Sequence, residues 1–283
     1  MGSPPANADA TRGANFRAAL AHPFTISSLV IAPSLALLLG AVFAGPAVAL
    51  GAPVAAALAV VLLAWLWADR RAESEFWGSV AQRLGYRFTF ESSLPPMTPL
   101  LGAGDRRFFE HTMHGPLSDL GLDVRLAHYR FEIRRKDSST KTTTWESHPF
   151  TVCIVDLVSG MQLYPGVYLR AHRGPLARLG NDWLRRRGLR TVELESNAFN
   201  AAYDLMVTEE QDDARLRELF APATIEWFAE HPLRPQLEFR AGTLVVYVPE
   251  HIEDIGNLVW LLDATADIAR RLAAEVAEDE AAA

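Results

Sequence analysis

Phe24-Thr-Ile-Ser-Ser-Leu-Val-Ile-Ala-Pro-Ser-Leu-Ala-Leu-Leu-Leu-Gly-Ala-Val-Phe-Ala44 is followed, after Gly45-Pro46, by Ala47-Val-Ala-Leu-Gly-Ala-Pro-Val-Ala-Ala-Ala-Leu-Ala-Val-Val-Leu-Leu-Ala-Trp-Leu-Trp-Ala68. No Asp, Glu, Lys or Arg lies between Arg17 and Asp69. A helix that crosses a bilayer needs roughly 20 mostly apolar residues, and each run supplies that length. The two runs therefore read as a transmembrane hairpin over 21–69, with spans of about 24–44 and 47–68. A competing reading takes the first run as a signal peptide, because Arg17 precedes it and Ala47-Val-Ala49 resembles a small-residue cleavage site.

Basic residues fix the expected orientation. Arg12 and Arg17 precede the first run, and Arg70 and Arg71 directly follow the second. Positive residues stay on the cytoplasmic side, so both termini and the main domain are expected in the cytoplasm, with the chain multi-pass in the inner (plasma) membrane. Small residues repeat every four positions at Ala36, Gly40 and Ala44, and again at Gly51, Ala55 and Ala59. That spacing lets membrane helices approach closely, within one chain or between copies in a homo-oligomer. Trp65 and Trp67 suit the membrane interface.

The remaining sequence has ordinary globular composition and fits one α+β domain over 70–276, with antiparallel strands packed by helices and a sub-boundary near 172–190. Residues 1–20 read as a disordered tail and 277–283 as an acidic, alanine-rich tail. The formal charge of -7 leaves no chain-wide basic footprint, so nucleic acid is not an expected partner. Residues Asp69 to Gly85 carry a helical apolar period at Phe76, Trp77, Val80, Ala81 and Leu84, continuing out of the second run until Gly85 stops it.

Strands are expected over 86–90, 106–111, 122–133, 150–158, 166–171 and 189–195, with 134–147 a polar hairpin loop. Phe199, Tyr203 and Val207 sit at helical spacing, which leaves 198–207 ambiguous. Asp212 or Asp213 caps a helix running to about Glu230, with Pro222 starting a second helical segment. Residues 236–240 and 243–249, joined by Ala241-Gly242, form a β-hairpin. A long helix with apolar residues from Ile255 to Val276 closes the domain.

Val192-Glu-Leu-Glu-Ser-Asn-Ala-Phe-Asn-Ala-Ala-Tyr-Asp-Leu205, Asp213-Ala-Arg215 with the following Pro222 helix, and the hairpin from Leu237 to Val248 resemble the bacterial membrane-anchored family known as domain of unknown function 3137. Ala81-Gln-Arg-Leu-Gly-Tyr86 after the paired spans is similar to the same layout. The resemblance implies an amino-terminal membrane anchor and a cytoplasmic domain, with no assigned activity and no catalytic residues to carry over. The stretch from Ser92 to Trp145 departs from that pattern.

Chemistry-bearing motifs are sparse. His111 and His114, near Asp119, Asp123 and His128, form the best metal-ligand set by residue type. A spacing of three on a strand puts the two imidazoles on opposite faces, so no metal site is expected. Cys153 lies in an apolar strand and reads as a buried thiol rather than a nucleophile. No phosphate loop, dinucleotide glycine pattern or nucleophile elbow is present, and no cofactor and no catalytic residue is assigned. Arg185-Arg-Arg187 beside Trp183 is a candidate patch for anionic lipid or a partner; a solvated helix end reads the same residues without a ligand.

The sequence thus points to a membrane-anchored, non-catalytic interaction or scaffold module whose partners are the lipid bilayer and a membrane protein. A membrane-associated enzyme of unrecognised type and an anionic-lipid-responsive domain are the alternatives.

Overall fold

The computed structural model describes residues 8–43, 46–91, 95–117, 120–136, 142–157, 163–172, 188–231 and 233–282. It divides into two compact units, one of residues 1–80 with 253–255, the other of residues 81–252 with 256–283.

The first unit holds helix α1 (Ala8–Ala21), helix α2 (Pro23–Phe43) and most of helix α3 (Pro46–Leu84). α3 runs without a break from the apolar stretch into the amphipathic segment, as its sequence period requires, and stops where Gly85 adopts φ +70. A left-handed residue at that position is the usual helix terminator, and glycine takes it without steric cost.

Residues 8–20, within the stretch expected as a disordered tail, lie in α1. Its sequence is too polar and too weakly periodic to announce a helix. Long-range polar contacts hold it instead: Arg12 Nε donates to Asp69 Oδ1 at 2.5 Å and Asn15 Nδ2 donates to Glu75 Oε2 at 2.9 Å.

Of the two expected spans, the second has a counterpart in Ala52–Leu84, which is long and apolar enough to cross a bilayer. The first belongs to a pair, Asn15–Ala21 with Pro23–Leu38, that reaches the criterion only together and is bent by 61°. Among the described residues the molecule therefore has one clear candidate span.

Among the described residues, the second unit is built on a nine-stranded antiparallel sheet. Its strands are β1 (Arg87–Glu91), β2 (Arg106–Leu117), β3 (Leu122–Lys136), β4 (Thr143–Asp156), β5 (Gly166–Ala171), β6 (Leu189–Val192), β7 (Tyr203–Thr208), β8 (Gln236–Arg240) and β9 (Thr243–Val248), in the order β1-β2-β3-β4-β9-β8-β5-β7-β6. The helices are α4 (Asn197–Ala202), α5 (Asp213–Leu219), α6 (Pro222–Glu230) and α7 (Ile255–Ala282).

Both faces of the central strands are buried, so these strands read as apolar runs rather than clean alternations. One face carries Phe109, Tyr129, Phe131, Phe150, Val152 and Tyr247, covered by Leu100 and Leu101 of the 95–105 loop. On the other, Val167, Leu237 and Phe239 meet Phe228 of α6 and Ile268 and Leu272 of α7 around a small internal void. Fully burying side chains of this size stabilises by about 1.5–3 kcal/mol each.

Several local signals act as written in the sequence. Asp212 accepts from the Ala214 amide at 2.8 Å, and Pro222 occupies the first turn of α6. The ambiguous stretch divides: Ser196 caps α4, then Tyr203 turns extended and begins β7. β3 and β4 extend well into the expected hairpin loop, and α7 continues to Ala282, so residues expected as an acidic tail are largely helical. The polar loop tip at 137–141 and the sub-boundary near 172–190, from 173 to 187, lie outside the described residues.

Candidate functional site

β2 carries a bulge. Its register against β3 shifts between Glu110 and Met113, and His111 takes φ 47 there. The extra residue re-aims the side chain, and the His111 ring lies edge-on to His128 at 6.0 Å between centroids. His128 stacks nearly parallel on His251 at 4.1 Å, and its Nε2 lies 3.1 Å from the Ile252 carbonyl oxygen. Phe88 continues the ladder beyond His111 at 6.3 Å.

Burial is the leading cause that pushes all three imidazoles below their ordinary value, with the neighbouring ring His251 adding to the effect at His128. Glu110 opposes the shift at His111 and His251. The ladder is thus a stack of neutral rings. Among the described residues no group of three or more His, Cys, Asp or Glu is placed to hold a metal.

His114 lies away from the ladder, in register with Arg87 and Arg125, and Asp123 is its acidic neighbour. Asp119 lies outside the described residues. The best metal-ligand set by residue type is therefore not assembled: His111 and His128 meet, joined by His251, whose role no motif announced. Cys153 is fully buried, bonded to Thr265 of α7, and burial pushes its thiol up to about 12. A thiol at that value is no nucleophile.

A second polar feature is an ion pair inside the sheet. Arg170 Nη2 donates to Glu238 Oε1 at 2.8 Å, and Glu238 Oε2 accepts the Leu100 amide at 2.7 Å. Tyr129 donates its hydroxyl to the Leu100 carbonyl at 3.0 Å. These bonds clamp the 95–105 loop to the sheet, so they organise the core. The aromatic residues Phe131, Phe199, Tyr203, Phe228, Phe239 and Tyr247 are buried, whereas Trp227 is half-buried and stacks with Trp260 at 6.1 Å.

At the surface, the loop from Glu193 to Ala198 and helix α6 border a groove of about 740 Å³. Leu194, Phe220 and Ile225 line its floor, and Glu193, Glu195, Glu226 and Glu230 stand around it with Arg217.

In the first unit, Ala36 is half-buried while Ala55 and Ala59 are exposed on α3. The side-chain surroundings of Gly40, Ala44 and Gly51, and all of Arg185, Arg186 and Arg187, lie outside the described residues. Only 11% of the apolar window of Ala52–Leu84 is buried, with Val54, Leu58, Leu62 and Leu63 all exposed. A core helix of a globular protein hides that surface.

The fold is that of an α+β protein with a large antiparallel sheet and, among the described residues, one clear candidate membrane span. No family model matches the chain, and no curated protein matches it. Among solved structures it is similar to the crystal structure of the mycobacterial trehalose monomycolate transport factor A, TtfA, at 13% identity and a TM-score of 0.47, covering 71% of this chain and 96% of that one.

Proposed function

We propose that the protein is a membrane-anchored, non-catalytic interaction or scaffold module. α2 and α3 span the inner membrane as a hairpin, and both termini and the sheet domain are cytoplasmic. The observation that carries this reading is α3 itself: one helix whose apolar half is exposed and whose amphipathic half leads directly into β1. Water makes so large an apolar surface costly, whereas a bilayer accepts it. Arg70 and Arg71 at the end of the apolar half support the cytoplasmic assignment.

Anchoring confines the sheet domain to two dimensions and raises its effective concentration near membrane partners. The groove beside α6 offers such a partner an apolar floor with carboxylates around it. The small-residue positions of α2 and α3 serve close helix packing, within the chain or in a homo-oligomer, and Arg185 to Arg187 serve anionic lipid or the partner. The resemblance to domain of unknown function 3137 agrees with this layout.

An enzyme would need His111 and His128 free to act on a ligand; the two rings stand in an aromatic ladder with His251. Photo-crosslinking from positions around the groove, in native membranes, tests the proposal. One reproducible membrane partner, lost on Glu226→Lys with Glu230→Lys, is expected; crosslinks unchanged by those substitutions overturn the groove assignment.

A further inference from the structure

α1, the start of α2 and the middle of α3 enclose a groove of about 610 Å³ within the first unit. Its shaft is largely apolar, walled by Phe24, Val60, Leu63, Ala64 and Trp67, with Ser28 on the α2 side. From Val60 to Arg71 the wall spans twelve residues of helix, about 16 Å at the α-helical rise. That is close to half of the roughly 30 Å hydrocarbon core of a bilayer, the depth of one leaflet.

Arg71, Asn15 and His22 are polar residues of the lining. Arg71 donates through Nε to Glu75 at 2.8 Å and lies 5.1 Å from the Trp67 ring centroid. Among the described residues its terminal nitrogens have no hydrogen-bond acceptor, and its side chain is 54% exposed. His22 Nδ1 accepts the Phe24 amide at 3.3 Å, which leaves Nε2 as the ring's other nitrogen. Both residues line the groove, together with Asn15.

A one-leaflet apolar shaft with unused cationic and imidazole nitrogens in its lining has the shape and polarity of a lipid. We infer that this groove binds one anionic phospholipid, its acyl chain along Val60 to Trp67 and its phosphate on Arg71 and His22. The inference rests on the reading of α3 as a membrane span. A guanidinium is the suited donor for phosphate because its planar fork matches the oxygens. An occupied groove also removes a void that would leave its lining without contacts.

Native mass spectrometry of the full chain, released from nanodiscs of phosphatidylglycerol or of phosphatidylcholine, tests this. The unaltered chain is expected to retain one phosphatidylglycerol and to prefer it over phosphatidylcholine. Arg71→Gln, at an exposed position that leaves the fold intact, is expected to lower retention about tenfold, as loss of one charge-assisted hydrogen bond does. Ser28→Trp is expected to block the shaft, whereas Leu62→Trp, outside the lining, changes nothing.

Equal retention of the two lipids, or retention unchanged in both groove variants, overturns the inference. A lipid-free dimer also overturns it, by giving the groove to a second copy. Alkaline extraction of the same membranes separates the two levels. A chain that leaves the membrane refutes the span itself, whereas an embedded chain without bound lipid refutes only the site.

Discussion

Arg170 and Glu238 lie on neighbouring strands β5 and β8 and meet at 2.8 Å with side-chain exposures of 6% and 0%. Glu238 also receives the Leu100 amide, so one carboxylate holds both a cation and a loop. Removing one partner of a buried pair strands the other charge and costs about 3–5 kcal/mol. Glu238→Leu is expected to show that loss by urea unfolding of the full chain. The double variant Arg170→Met with Glu238→Leu is expected to recover much of it, because no buried charge then remains.

The histidine ladder gives a pH dependence of known sign. His128, His251 and His111 lie below the ordinary value of 6.5 in the folded chain, chiefly through burial. Their contribution to stability is complete above 6.5. It falls as the pH drops below 6.5 toward the lowered native values, since the unfolded chain then binds protons that the ladder refuses. Each such proton weakens stability by about 1.4 kcal/mol per pH unit. Urea midpoints compared at neutral and mildly acidic pH are expected to show this fall, and His128→Phe is expected to shrink it.

Cys153 reports on global opening. Fully buried, with its thiol raised to about 12, it is expected to resist a maleimide in native conditions and to label within minutes in denaturant. Rapid native labelling contradicts the buried assignment.

The turn between β8 and β9 has a correctable residue. Ala241 and Gly242 both take positive φ, 50 and 75, the geometry of a two-residue turn that favours Asn-Gly. Alanine at that position carries the Cβ strain of the left-handed region. Ala241→Asn is expected to stabilise by about 0.5–1 kcal/mol, read as a raised melting temperature.

Elements ruled by local chemistry were legible in the sequence. Uncharged runs announced α2 and the apolar half of α3, while Gly85, Asp212, Pro222 and the Ala241-Gly242 turn marked boundaries where the structure has them. Features ruled by distant contacts were not. α1 depends on Arg12 reaching Asp69, the His111 bulge on a register slip against β3, and the Arg170–Glu238 pair on β5 and β8 becoming neighbours in the sheet. A single sequence shows none of those pairings. Nor does it show that His251 joins His128, because 122 intervening residues separate the two rings.

The central claim is that α3 fixes the sheet domain to the cytoplasmic face of a bilayer. The measurement that tests it most directly is alkaline carbonate extraction of membranes bearing the full chain with a carboxyl-terminal tag, followed by protease treatment of spheroplasts and of inverted vesicles. The account predicts a tag that stays with the membrane pellet and is digested only in inverted vesicles. Release into the carbonate supernatant, or digestion in intact spheroplasts, would contradict it.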